Sequence, residues 1–121
     1  MTGAEELRTA AATLREWSAA ADADSPAPWY IRVHGRYHLM RYGTAPGSDL
    51  LRGGSFGTRG QPRCMHGPVA RWVALMDPSI GPLLADWLDQ AADAFEGVDC
   101  PDDEPALAVA RAVNTKTKEQ H

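Results

Sequence analysis

The strongest hydrophobic pattern of the chain runs over residues 69–96 and predicts two consecutive helices. The first would begin at Pro68, because the fixed φ of proline suits a first helical position. Spacings of three and four residues predict the side chains that enter the core: Val69, Trp72, Val73 and Met76. Aromatic residues at helical spacing are usually buried, so both tryptophans of the stretch, Trp72 and Trp87, are expected in the core.

The second helix follows a stop and a restart at Asp77, Pro78 and Pro82. Aspartate caps a helix, and proline is tolerated in the first helical turn. The pattern then places six apolar residues on one side: Leu83, Leu84, Trp87, Leu88, Ala91 and Phe95. Three aspartates would turn to the opposite side: Asp86, Asp89 and Asp93. Gly97 is expected to end this helix.

Two further helices are predicted, one near each terminus. An alanine-rich helix from Gly3 to Ala21 is favoured by intrinsic propensity. Its inward face would consist of Leu7, Ala11, Leu14, Trp17 and Ser18. The proline-bearing segment Asp22 to Pro28 would follow as a linker. A last helix from Ala106 to Val113 would precede a flexible polar tail over residues 114–121.

Residues 29–42 carry the clearest β signal and read WYIRVHGRYHLMRY. Gly35 and Arg36 suit a two-residue type II′ turn, which would set His34 opposite Tyr37. One face of this hairpin is predicted to be the core face: Trp29, Ile31, Val33, His38, Met40 and Tyr42. The opposite face would carry Tyr30, Arg32, His34, Tyr37, Leu39 and Arg41.

A lone hairpin is only marginally stable in water, so a further strand or the helices must pack against it. Arg63 to His66 is the candidate strand. Residues 43–67 are otherwise predicted to be a loop, with the glycine-dense centre LLRGGSFGTRGQPR. Together these elements predict one α+β domain over residues 1–113, in which a β-hairpin or small antiparallel sheet packs on three to four helices.

The location of the protein is predicted from what its sequence lacks. No apolar run approaches the roughly 20 residues of a membrane span. The acidic start, with Glu5 and Glu6, is unlike a secretory leader. Two distant cysteines, Cys64 and Cys100, fit reduced thiols better than a disulfide framework. We therefore expect a cytoplasmic protein without membrane contact.

Charge is distributed unevenly along the chain. Residues 1–28, 29–76 and 77–121 carry −3, +6 and −7, in agreement with the net charge of −4. The middle segment contains seven arginines and a single acid, Asp49. The middle of the chain is therefore basic, whereas both flanks are acidic.

Four stretches carry a resemblance to known proteins: Pro26 to Trp29 (PAPW), Ala70 to Pro78 (ARWVALMDP), Leu83 to Leu88 (LLADWL) and Ala106 to Arg111 (ALAVAR). They resemble a group of small uncharacterised proteins from actinobacteria and their phages, and more distantly the Ead-like proteins of lambdoid phages. Ala27 departs from the Pro-Gly-Pro-Trp of the group, and the arginine- and glycine-rich loop has no counterpart there. The resemblance implies a phage or prophage accessory protein and carries no chemistry with it.

A protein–protein interface is the preferred functional hypothesis. Aromatic and arginine residues are typical interface anchors. Four residues of these two types would share the outer hairpin face with one leucine. They are Tyr30, Arg32, Tyr37, Leu39 and Arg41. Either this face or the acidic helical face would dock on a host protein, and a homodimer is the other arrangement. The alternative is that a strand or the first helix covers the hairpin face.

A phosphate-bearing ligand, either a nucleotide or a nucleic acid, is the second hypothesis. Glycine amides and arginine side chains both contact phosphate oxygens, and Tyr30, Tyr37 or Phe56 would supply stacking. The candidate residues are Arg52, Gly53, Gly54, Arg59 and Arg63. Their spacing matches neither a Walker loop nor a dinucleotide fingerprint. The alternative is a solubilising loop whose arginines pair with the acidic helices of the same fold.

Metal binding and catalysis are the weakest interpretations. Cys64 and His66, with Cys100 and His34 or His38, would make four zinc ligands, but structural zinc sites usually show CxxC-like pairs. Cys64 with His66 or His38 as base would be the best catalytic set, but no oxyanion-binding motif accompanies it. We therefore expect no metal, no cofactor and no catalytic residue, and a function in binding.

Overall fold

The computed structural model describes residues 1–34, 37–43, 47–50, 64–65, 67–97 and 104–119. Within these ranges the chain forms four helices and four short strands in one antiparallel sheet, which confirms the predicted α+β class. The chain divides into two compact units. The helical unit comprises Met1–Ala19 and Ile80–His121, and the sheet unit comprises Ala20–Ser79.

The four helices are α1 (Gly3–Asp24), α2 (Gly67–Leu75), α3 (Ile80–Gly97) and α4 (Glu104–Glu119). α1 extends past its predicted end at Ala21 into the predicted linker. α4 likewise continues past the predicted end at Val113 to Glu119, and the Thr117 hydroxyl donates a hydrogen bond to the Val113 carbonyl at 2.8 Å. Both boundaries were predicted too early, because polar residues in a last turn give no clear stop signal.

The amino terminus of α1 carries a reciprocal cap that the sequence analysis missed. The Glu5 amide donates to the Thr2 hydroxyl oxygen, and the Thr2 amide donates to the Glu5 carboxylate, both at 3.1 Å. Threonine followed three residues later by glutamate is the capping-box pattern, which satisfies two otherwise unpaired amides. This pair explains why α1 begins at Gly3.

The core of the helical unit is built largely from alanine. Ten hydrophobic residues of α1, α3 and α4 form one buried cluster: Ala4, Leu7, Ala10, Ala11, Ala85, Leu88, Ala91, Ala92, Ala106 and Ala110. Larger residues pack around this cluster and are partly buried: Leu14, Trp87, Phe95, Leu107, Val109 and Val113. The burial of Leu7, Ala11, Leu88 and Ala91 was predicted, whereas Trp17 and Leu83 were expected inside and are exposed.

Small residues allow the helices of this unit to approach closely. A methyl group at Gly81 would overlap the Cβ and Oγ atoms of Ser18 and lie 3.2 Å from the Leu14 carbonyl oxygen. A methyl group at Gly3 would lie 2.8 Å from a ring carbon of Phe95. A larger side chain at Gly81 would require α1 to move, whereas at Gly3 the Phe95 ring would have to shift.

Two arginines of α1 pair with the four acids of α3. Arg8 pairs with Asp93 (3.1 Å) and with Glu96. Arg15 pairs with Asp86 (2.9 Å) and Asp89 (2.6 Å). The earlier arginine meets the later acids, so α1 and α3 run antiparallel. The hydrogen bond from Arg8 and its positive charge lower the pKa of Glu96 below its usual value.

The sheet unit contains β1 (Trp29–His34), β2 (Tyr37–Tyr42), β3 (Ser48–Asp49) and β4 (Cys64–Met65). β1 and β2 form the predicted hairpin in the predicted register, with His34 opposite Tyr37. β4 pairs antiparallel with β2, which confirms the candidate third strand. β3 also pairs with β2, at residues that were predicted to be loop. Gly35 and Arg36, and hence the turn type, lie outside the described residues.

The core side of the sheet was predicted correctly in part. Met40 is fully buried, whereas Trp29 and Ile31 on the same face are half-buried. Val33 also belongs to this face, yet it is exposed. Its prediction as a core residue was wrong, because alternation identifies the face of a strand but not how far a covering element reaches along it.

Asp77 joins the end of α2 to the start of β1. Its carboxylate accepts hydrogen bonds from the Trp29 amide (3.1 Å), the Ser79 amide (2.9 Å) and the Ser79 hydroxyl. Burial alone would raise the pKa of Asp77, but these three hydrogen bonds outweigh it, and the pKa lies below the ordinary value of 3.8. The ionised carboxylate therefore stabilises the sheet unit.

Gly81→Ala is expected to destabilise the protein by about 1–3 kcal/mol, because the added methyl group overlaps Ser18. The sign is diagnostic, since glycine-to-alanine changes inside helices normally stabilise by roughly 0.5–1 kcal/mol. Urea unfolding measures the change. The control is the swap Ser18→Gly with Gly81→Ala, which removes the overlapping atoms and should recover most of the loss. A stabilised single variant would contradict the close approach.

Asp77→Asn is expected to cost about 1–3 kcal/mol at pH 7, because one carboxylate oxygen becomes an amide donor that faces an N–H group. Folding lowers the pKa of Asp77, so the ionised carboxylate contributes fully to the free energy of unfolding above pH 3.8. This contribution is lost as the pH falls through the lower pKa of Asp77 in the folded protein. Unfolding curves of the wild type and the variant at pH 7 and pH 2 measure the cost of the substitution and its decrease at low pH. Glu16→Gln, at an exposed position, is the control. An advantage that persisted at pH 2 would contradict the assignment.

Candidate protein interface

α2 lies along the sheet in a direction that backbone pairings establish. β4 immediately precedes α2, and its Met65 pairs with His38, which in turn pairs with Val33 at the far end of β1. At the other end of α2, Asp77 accepts a hydrogen bond from Trp29, the first residue of β1. α2 packs against β1 and β2 and therefore runs antiparallel to β1.

The side of α2 that faces its own fold carries small residues. Successive helical residues are turned by about 100°, which places Ala70, Val73 and Ala74 on one side. Ala70 is fully buried, and Val73 and Ala74 are half-buried. Small side chains at this contact let the helix backbone lie close to the sheet.

The opposite side of α2 carries large apolar residues that are exposed to solvent. The exposed fractions are 51% for Val69, 63% for Trp72, 63% for Leu75 and 40% for Met76. We call these four side chains the α2 outer face. Val69, Trp72 and Met76 were predicted to be core residues, and that prediction was wrong. Helical periodicity shows that a helix has an apolar face, but not which of its faces packs inside the same chain.

One cation borders the α2 outer face. Arg71 is exposed and is the single charged residue of α2. It precedes Leu75 by four residues, so the two side chains are neighbours on the helix surface. No carboxylate within the described ranges pairs with Arg71. The candidate site is thus a short apolar stripe with one positive charge on its edge.

The hairpin face predicted as an interface is partly engaged inside the sheet unit. Arg41 pairs with Asp49 at 2.6 Å and donates to the Gly47 carbonyl at 2.8 Å. Gly47 has a φ of 71°, and a methyl group there would overlap the Tyr30 hydroxyl. Leu39 is half-buried and Arg32 is exposed. The side chain of the fifth residue, Tyr37, lies outside the described residues.

The phosphate-binding hypothesis falls in a part of the chain that the structure does not describe. All five of its residues lie there: Arg52, Gly53, Gly54, Arg59 and Arg63. His66 and Cys100 lie there too, as does the side chain of Cys64. In the ranges that are described, no cluster of three or more histidine, cysteine, aspartate or glutamate residues is suited to a metal ion. Likewise, none of the described helices combines the length and apolar character needed to cross a bilayer.

Comparison with known proteins returned no match among family models, curated proteins or solved structures. Only the geometry of this chain therefore supports the candidate interface.

The two tryptophans that were predicted to be buried should respond differently to substitution. Trp72→Ala is expected to change the free energy of unfolding by no more than about 0.5 kcal/mol, because its side chain is exposed. Trp87→Ala removes a side chain packed on the alanine cluster and should cost about 2–4 kcal/mol. Chemical denaturation of both variants measures the difference. A large loss for Trp72→Ala would mean that the α2 outer face is covered within the chain.

Proposed function

We propose that this protein is a small accessory protein that acts by binding another protein, with the α2 outer face as its docking surface. The observation that carries the proposal is the orientation of α2. Its small side chains face the sheet, and its four large apolar side chains face solvent. A phage or prophage origin remains an expectation from the sequence resemblance alone.

The size and composition of the α2 outer face support this function. Three large side chains of the nine-residue α2, together with Met76 directly after it, are exposed by 40% to 63% and make a contiguous apolar patch. Its area is on the order of a few hundred Å², and exposed patches of that size on monomers are often interaction sites. Tryptophan is enriched among the residues that dominate binding energies, and Trp72 lies in the middle of the stripe.

The acidic helical face offers less to a partner. All four acids of α3 already pair with Arg8 and Arg15 of α1. A partner that docked there would compete with Arg8 and Arg15 for these carboxylates. We therefore place the interface on α2 and not on the acidic face of α3.

Site-specific photo-crosslinking tests the proposal in cells that naturally carry the gene. Benzoylphenylalanine would replace Trp72, Arg32 or Ala12 in three otherwise identical proteins; all three positions are exposed. We expect a discrete adduct with another protein from position 72 and none from position 12, which serves as the control. Circular dichroism would confirm that each variant is folded.

Each alternative has its own result in this experiment. An adduct from position 32 alone would move the interface to the hairpin face predicted from the sequence. Adducts of equal yield from positions 72 and 12 would show unspecific contact. The absence of any protein adduct at positions 72 and 32 would refute the proposed function.

A further inference from the structure

On the basis of the proposed function, we infer that the α2 outer face binds one amphipathic helix of a partner protein, which carries acidic residues beside its apolar stripe. The shape, the charge and the area of the α2 outer face each favour such a helix as its occupant.

The shape of the surface matches a helix. Val69, Trp72 and Met76 are separated by three and four residues and make an apolar stripe along α2 and the residue that follows it. A stripe with this spacing is the kind of surface on which a second amphipathic helix packs. Nine residues at a rise of about 1.5 Å make α2 about 14 Å long. A partner helix of about three turns would cover the entire stripe.

The charge of the surface selects an acidic partner. α2 contains Arg71 and no acidic residue. Arg71 borders the stripe on the side of Leu75 and pairs with no carboxylate in the described part of the chain. A glutamate or aspartate next to the apolar stripe of the partner would make a charge-assisted hydrogen bond with Arg71, and a lysine there would repel it.

A second copy of this chain fits the surface poorly. Symmetric pairing of two α2 helices would bring together two copies of Arg71 and no acid. A standard-size interface, in a dimer or with another protein, buries about 800 Å² on each partner. The α2 outer face supplies a few hundred Å², which suits a small occupant such as a single helix.

A membrane surface fits it poorly as well. Helices that lie on anionic bilayers combine an apolar face with several lysines or arginines. α2 offers one arginine, and each basic residue near an anionic bilayer contributes only about 1 kcal/mol to binding.

Two designed peptides test the inference against the full-length protein. Both are amphipathic helices of equal length with leucines at spacings of three and four residues; one has glutamates beside the stripe, and the other has lysines at the same positions. Fluorescence anisotropy of the labelled peptides measures the affinity. We expect the glutamate peptide to bind about tenfold more tightly at low salt, with a smaller difference at high salt.

Three variants connect this preference to named residues. Trp72→Ala should weaken the glutamate peptide about tenfold or more, as expected for a central anchor. Arg71→Glu should reverse the preference in favour of the lysine peptide. Lys118→Glu alters an exposed lysine of α4 by the same charge and should leave the preference unchanged. Circular dichroism establishes that each variant is folded.

The remaining outcomes overturn the inference. These are equal affinity for both peptides, a preference for the lysine peptide, or full binding by folded Trp72→Ala. Dimerisation in sedimentation equilibrium that Trp72→Ala abolishes would make a second copy the occupant. If the protein binds vesicles of phosphatidylcholine and phosphatidylglycerol and Trp72→Ala abolishes this binding, the occupant of the α2 outer face is a bilayer. A protein adduct from position 72 without a glutamate-peptide preference would retain the proposed function and reject only the inference.

Discussion

Close contact between small side chains is the constraint on which this structure depends. In the helical unit, Gly81 and Ser18 leave no space for one further methyl group, and the buried cluster around them is mainly alanine. In the sheet unit, the fully buried residue of α2 is Ala70. Alanine loses no side-chain entropy on burial and lets backbones approach closely. Leu7, Leu88 and Met40 are fully buried, whereas the other large apolar side chains of the described residues surround the contacts or, on α2, lie outside them.

This arrangement explains how a surface for a partner arises without any special motif. A helix that buries its large residues usually has a polar outer side, whereas α2 buries alanine and leaves Trp72 and Leu75 in water. Burial of those side chains by a partner would recover the hydrophobic free energy that folding leaves unused. Asp77 contributes indirectly, because its hydrogen bond to the Trp29 amide holds the chain after α2 against β1.

Charge is used differently in the two units. In the helical unit, Arg8 and Arg15 pair with all four acids of α3. Such exposed pairs contribute little stability each, but their order along the helices fits only one direction of packing. In the sheet unit, Arg41 pairs with Asp49, whereas Arg71 has no carboxylate partner in the described ranges and borders the apolar stripe. Arg32 is also exposed in this unit without a carboxylate partner in the described ranges, so Arg71 is distinguished by its place beside the α2 outer face.

Much of the local structure could be predicted from the sequence. Alternation over residues 29–42 determined the hairpin and its register, because a strand has a period of two and Gly35 with Arg36 permits only a short connection. Apolar spacing determined α3 and its aspartate side. The start of α1 could also have been predicted from the sequence, because Thr2 and Glu5 form a capping box. The arginines and glycines of the phosphate hypothesis lie outside the described residues, so that prediction stands as it was made.

Tertiary structure alone decided which apolar faces are inside. The pattern of Val69, Trp72 and Met76 is the same whether the stripe packs on its own sheet or on another protein, because periodicity records amphipathicity and not the identity of the covering surface. Trp72 and Trp87 look alike in sequence, yet one is exposed and the other packs on the alanine cluster. The sequence by itself determined the elements and their apolar stripes. The candidate interface emerged only in the tertiary structure, because the alanine side of α2 packs on the sheet and the large side chains of the opposite side stay exposed to solvent.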